Sequence, residues 1–116
     1  MGEVQLVDFD QIAMLGGLAE PAVAEILRDF LSTFEKQLPD LEKRINEGAN
    51  TCAKEEAHKL KGAARTCGFD ALGRHAEELE SAAEEERLSE VSEWILRAKE
   101  LLGLTRDALD AGSGAL

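Results

Sequence analysis

The sequence predicts an all-α protein: an antiparallel up-and-down four-helix bundle with a short extra helix at its N-terminus. Three observations carry this. Apolar residues recur at steps of three and four along most of the chain, with no strand-like alternation and no internal repeat. Only two prolines occur and tyrosine is absent, a composition that favours helix over sheet. The breaks between periodic segments are short, and short loops between long amphipathic helices make sequential helices antiparallel neighbours.

Each element has its own signals. Asp8 or Asp10 can cap a short helix running to Met14-Leu15, which Gly16-Gly17 stops. Pro21 suits the first position of a long helix reaching about Gly48. Its expected buried stripe is Val23, Ile26, Phe30, Phe34, Leu38, Leu41 and Ile45. Pro39 falls inside and should kink it, since it removes one backbone bond and crowds the preceding turn. Asn50 is a candidate cap for a third helix with Ala53, Ala57, Leu60, Ala64 and Cys67 as its core face, ended by Gly68. Asp70 is a candidate cap for a fourth, with Leu72, Ala76, Leu79 and Ala83 inward. The last helix should run from about Ser89 to Ala111, with Val91, Trp94 or Ile95, Ala98, Leu101, Leu102, Thr105 and Leu109 available for burial. The alanine-rich faces of the third and fourth helices should let them pack closely.

At 116 residues the chain is expected to be one domain, spanning 1–111, with 112–116 a disordered tail. Met1-Gly2 reads as a cloning scar. The formal net charge is −11, which argues against nucleic acid as a partner because nucleic acid wants a basic surface. No apolar run approaches the ~20 residues that cross a bilayer, and the basic start and apolar stretch of a signal peptide are missing. A cytosolic location is the expectation. Cys52 and Cys67 lie 15 apart on one expected helix, about 22 Å at ~1.5 Å per residue, too far to bond each other. Both are expected to be buried, reduced thiols.

One segment departs from this background. Lys54, His58, Lys61 and Arg65 are spaced by 4, 3 and 4 and share one helix face. A histidine in a basic stripe on so acidic a chain suits a phosphate or an anionic partner. Gly62 stands beside His58, and a mid-helix glycine costs about 1 kcal/mol relative to alanine, so close approach by another surface would explain it. A hairpin turning at Gly68-Phe69 sets His58 opposite Glu80, Lys61 opposite Glu77 and Lys54 opposite Glu84. A carboxylate bonded to one imidazole nitrogen fixes the tautomer and leaves the other nitrogen basic and nucleophilic. The plainer alternative is a set of solvated interhelical ion pairs with a surface histidine among them. His75 reads as an exposed helical histidine. Glu55-x-x-His58 matches half of a di-iron bundle motif but has no second copy, and a zinc site from His58, His75, Cys52 and Cys67 is too spread along the helices; no metal site is expected.

The run His58-Lys59-Leu60-Lys61-Gly62-Ala63, followed by Gly68, resembles the histidine-containing phosphotransfer (HPt) domain of bacterial phosphorelays. That family carries His-x-(Leu/Ile)-Lys-Gly-(Ser/Ala) and then a further glycine. The resemblance implies that His58 is the phosphoacceptor, that Lys61 balances phosphoryl charge, and that Gly62 clears room for the partner. It also places a Glu or Gln that bonds the histidine 22 residues beyond it, at Glu80. The implied function is a phosphorelay intermediate that takes a phosphoryl group from one receiver-domain aspartate and passes it to another, without independent turnover. Receiver domains would dock around His58, over Lys54, Lys59, Ala63 and Arg65; the roles of Lys54 and Arg65 rest on the stripe itself. A sensor histidine kinase is a further implied partner, and the domain could be the cytoplasmic tail of a membrane-bound hybrid kinase. No cofactor is expected in this domain, and Mg²⁺ is expected in the receiver. The Gly68-Phe69 pair is shared with the phosphoacceptor domain of chemotaxis kinases, which stands as an alternative. A helical module that docks a receiver or kinase without being phosphorylated stands as another.

Overall fold

In a computed structural model, residues 5–85 and 91–114 are described, and they contain five helices and no strand. These are α1 (Phe9–Met14), α2 (Pro21–Asn46), α3 (Asn50–Thr66), α4 (Asp70–Glu84) and α5 (Val91–Gly114). Helix α2 packs on both α3 and α5, α4 packs on both as well, and the α3–α4 pairing is the most extensive. This closes a ring of four helices. Ion pairs at both ends of the seams fix the direction: Lys54 meets Glu84 while Arg65 meets Glu77, and Arg28 meets Asp110 while Glu35 meets Arg106. Both α3–α4 and α2–α5 are therefore antiparallel.

The helix ends follow local chemistry, with two corrections. Asp8, not Asp10, caps α1, its carboxylate accepting from the Gln11 amide at 3.1 Å. Pro21 opens α2 as expected, and α2 stays continuous across Pro39. Asn50 and Asp70 are the first residues of their helices, while Ala49 and Phe69 hold the cap positions and no side chain caps either end. The reason is the turn before each. Gly48 and Gly68, at φ +81° and +82°, close α2 and α3 in the same way. The amide two residues past the cap reaches back to the third-last carbonyl, Ala49 to Arg44 at 2.8 Å and Phe69 to Ala64 at 2.8 Å. That geometry delivers the next helix after a single residue, leaving Asn50 and Asp70 inside it.

The core faces of α3 and α4 are those the periodicity names, with Ala53, Ala57, Leu60, Ala64 and Cys67 facing Leu72, Ala76, Leu79 and Ala83. On α2 the stripe lies one position over at its N-terminal half. Leu27 and Leu31 are buried, Val23 and Phe30 are half-buried, and Ile26 is 63% exposed. Phe69 is fully buried and stacks on Phe30, which meets Phe34 edge-on. Helix α5 buries Val91, Ile95, Ala98, Leu101, Leu102, Thr105 and Leu109, with Trp94 half-buried. It continues to Gly114, so residues 112–114 are helical rather than a frayed tail. The expected start at Ser89, the Met1-Gly2 pair and residues 115–116 lie outside the described residues. No helix among the described residues is long and apolar enough to cross a membrane.

Candidate functional site: an imidazole–carboxylate pair on the α3–α4 seam

Helix α3 carries His58 on the flank of its buried stripe, so the ring stands out from the bundle with 66% of the side chain exposed. Helix α4, antiparallel to it, sets Glu80 beside the ring, and its carboxylate is only 15% exposed. Glu80 Oε2 lies 2.6 Å from His58 Nδ1. A carboxylate only accepts, so Nδ1 carries the proton and Nε2 is left without one in the neutral ring. The exposed nitrogen is thus the nucleophilic one.

The second oxygen of Glu80 accepts from Lys61 Nζ at 2.6 Å. Spacing had set Lys61 opposite Glu77; instead Lys61 reaches Glu80, and Glu77 pairs with Arg65 at 2.5 Å. The long lysine stem, mostly covered, leans one turn along α4, and the next basic residue takes the vacated partner. The Lys61 hydrogen bond holds the Glu80 carboxyl below the usual carboxylate range, with the His58 bond adding to it against the opposing effect of burial. Glu80 is therefore held as a carboxylate at neutral pH.

Lys54 pairs with Glu84 at 3.3 Å, as the hairpin spacing requires. Every basic member of the stripe thus meets a glutamate of α4, and the stripe is one half of a neutralised ladder rather than a bare cationic surface. Lys59 points away from the seam, exposed and 3.8 Å from Glu56, and Ala63 is exposed as well. At Gly62 a Cβ would meet nothing within 4 Å. The fold itself leaves that space open, so nothing inside the domain demands the glycine.

Outside the seam two expectations change. His75 is buried, 6% exposed, where an exposed histidine was expected. It lies three residues after Leu72 and four before Leu79, on the core side of α4, and Trp94 of α5 supplies the polar partner that burial needs. Cys52 is exposed while Cys67 is buried, and both are free thiols. Burial pushes the Cys67 thiol up. Among the described residues no three His, Cys, Asp or Glu side chains converge as metal ligands.

The structure is thus an antiparallel helical bundle presenting one exposed histidine, hydrogen-bonded to a carboxylate on the neighbouring helix. The Hpt domain family model matches residues 25–111, and the chain belongs to that family. The fold is similar to that of the crystal structure of histidine-containing phosphotransfer protein B from Pseudomonas aeruginosa, at TM-score 0.81 and 20% identity, over 98% of this chain and 99% of that one. Among curated proteins nothing matches. Membership makes the chain a histidine phosphotransfer intermediate of phosphorelays, which works with receiver domains and is not an enzyme in the ordinary sense.

Proposed function

We propose that His58 is the phosphoacceptor of this intermediate. Its Nε2 attacks the phosphorus of a receiver's aspartyl phosphate; the N–P bond forms as the bond to the aspartate oxygen breaks, and the aspartate leaves as a carboxylate. The reverse sequence, with a second receiver, returns the phosphoryl group to an aspartate. The observation that carries this is the 2.6 Å contact between Glu80 Oε2 and His58 Nδ1, which leaves Nε2 bare at an exposed position.

Around it each residue has a role. Glu80 orients the ring. Lys61 in the free domain is committed to Glu80, and its ammonium, next to the ring, balances charge as the phosphoryl group arrives. Gly62 leaves the approach open, and Lys54, Lys59, Ala63 and Arg65 lie around it where a receiver would dock. Transfer between bound partners is mostly positioning and electrostatics, so the domain has no turnover of its own. Mg²⁺ and the remaining catalytic groups belong to the receiver, and both partners work in the cytoplasm. A sensor histidine kinase, in the same chain or another, stands upstream.

Incubation with a phosphorylated receiver should place acid-labile, alkali-stable phosphate on the domain. His58→Gln should abolish it and His75→Gln should not. Equal labelling of the His58→Gln protein would overturn the assignment and leave a docking module that is not phosphorylated.

A further inference from the structure

Residues 5–15 precede the span that the family model matches, yet they bind the turn that joins the two helices carrying His58 and Glu80. Asp8 N donates to Gly68 O at 2.7 Å, Gln11 Nε2 donates to Thr66 O at 3.1 Å, and Ala71 N donates to Gln5 O at 2.9 Å. Thr66 O is an orphan carbonyl at the end of α3 and Ala71 N an orphan amide at the start of α4. No side chain caps α4, so the N-terminal segment supplies from outside the bonds that the hairpin lacks. The fit is close: a Cβ on Gly68 would come within 2.8 Å of Asp8 O. Beside Leu60, Leu72 and Leu79 the seam is lined by small residues, Ala57, Ala64, Gly73 and Ala76, and their low ridges add little resistance to sliding. Along those small-residue stretches the turn is the element best placed to hold the register.

We infer that the N-terminal segment, through Gln11 and the Asp8–Gly68 contact, is a positioning element for phosphotransfer. It clamps the α3–α4 turn and so sets the register in which Glu80 meets His58. This rests on His58 being the phosphoacceptor, but the contact it predicts is read separately from transfer.

The chain provides a matched control. Gly48 and Gly68 close their helices by the same motif at the same φ, but a Cβ at Gly48 meets nothing within 4 Å. Gly68→Ala and Gly48→Ala therefore carry the same backbone strain, and only the first displaces Asp8. Gln11→Met removes a single donor from a half-exposed side chain and leaves the α1 cap, made by the Gln11 backbone amide, intact. In the full chain, ¹⁵N NMR reads the His58 tautomer and a phosphorylated receiver reads the transfer rate. Gly68→Ala and Gln11→Met should each shift His58 from the Nδ1–H form toward the Nε2–H form, the form that loss of the Glu80 carboxylate should also favour. Each should slow transfer roughly tenfold, within the ~100-fold that an ångström of misplacement costs. Gly48→Ala should do neither. An unchanged tautomer and rate in Gln11→Met, or equal effects from the two glycine variants, would overturn the inference. If Gly68→Ala does not fold, Gln11→Met decides alone. If the parent takes no label on His58 while the tautomer still responds, the functional reading fails and the clamp stands.

Discussion

His75 and Trp94 exchange hydrogen bonds across the α4–α5 seam: the Trp94 indole N–H donates to the His75 carbonyl at 2.8 Å, and His75 Nε2 lies 2.9 Å from the Trp94 carbonyl. Their rings stack at 4.4 Å and 5°. The Trp94 carbonyl only accepts, so His75 Nε2 carries the proton and Nδ1 is the site that a second proton must take, 3.5 Å from Glu78 Oε2.

This pair predicts a pH-dependent stability. Burial pushes the His75 ring below its ordinary 6.5, against the opposing pull of the Trp94 carbonyl and Glu78; Arg97 adds slightly to the lowering. Below 6.5 the unfolded chain binds a proton that the folded chain resists, so stability falls as pH falls, until the folded ring also titrates. Denaturant midpoints followed by Trp94 fluorescence should decrease from pH 7 toward acid. His75→Gln should lose that part of the slope. Glu35 and Glu80, both held below the usual carboxylate value, contribute their own loss only below 4.5. An identical pH profile for His75→Gln would assign the slope elsewhere.

At the site, Glu80→Ala should redistribute His58 toward the Nε2–H tautomer, visible by ¹⁵N NMR. A hydrogen bond to a charged group contributes about 1.5–3 kcal/mol, so transfer should slow by roughly tenfold to a hundredfold without vanishing, because the nucleophile remains. Glu80→Gln should be milder, since an amide oxygen still accepts the bond. Unchanged rates and spectra in Glu80→Ala would reduce Glu80 to a member of the ion-pair ladder.

Gly62 separates stability from transfer. Because nothing surrounds its missing side chain, Gly62→Ala should stabilise the domain by about 1 kcal/mol through helix propensity alone. Gly62→Gln should stabilise it by a similar amount and slow transfer steeply, by obstructing the receiver beside His58. Parent-like transfer in Gly62→Gln would show that the open space serves no partner.

Thiol chemistry should distinguish the two cysteines. Under native conditions one equivalent of an alkylating reagent should react quickly at exposed Cys52, and Cys67 only as the domain opens. Cys52→Ser should remove the fast phase; its persistence would mean that Cys67 is not buried in solution.

Much of the fold was legible because its signals are local. The Ala–Leu stripes of α3 and α4 match burial because each helix has one apolar face. Helix α2 has two overlapping faces, Val23-Ile26-Phe30 and Leu27-Leu31, and only the placement of neighbouring helices chooses between them. Asn50 and Asp70 looked like caps by residue type, but the glycine turns before them shifted the boundary by one residue. His58 and Glu80 were paired by hairpin spacing and by family resemblance alike. Lys61 shifted by one turn because side-chain reach, which spacing ignores, decided its partner. His75 was missed because its partner sits on another helix, 19 residues away, and a polar residue type alone suggests exposure.

The seam between α3 and α4 is closely packed around Gly73. A Cβ on Gly73 would stand 3.0 Å from Arg65 Cγ and 3.7 Å from the Ala64 Cβ, and Ala57, Ala64 and Ala76 are wholly buried. An extra methyl or two there typically costs about 1–3 kcal/mol, which a folded domain can survive. An intrusion that separates the helices also lengthens the 2.6 Å contact between His58 and Glu80, which leaves the ordinary hydrogen-bond range after roughly half an ångström. Activity and stability therefore part company at this interface. Screened by melting temperature alone, a set of seam variants would pass proteins that are well folded and chemically silent.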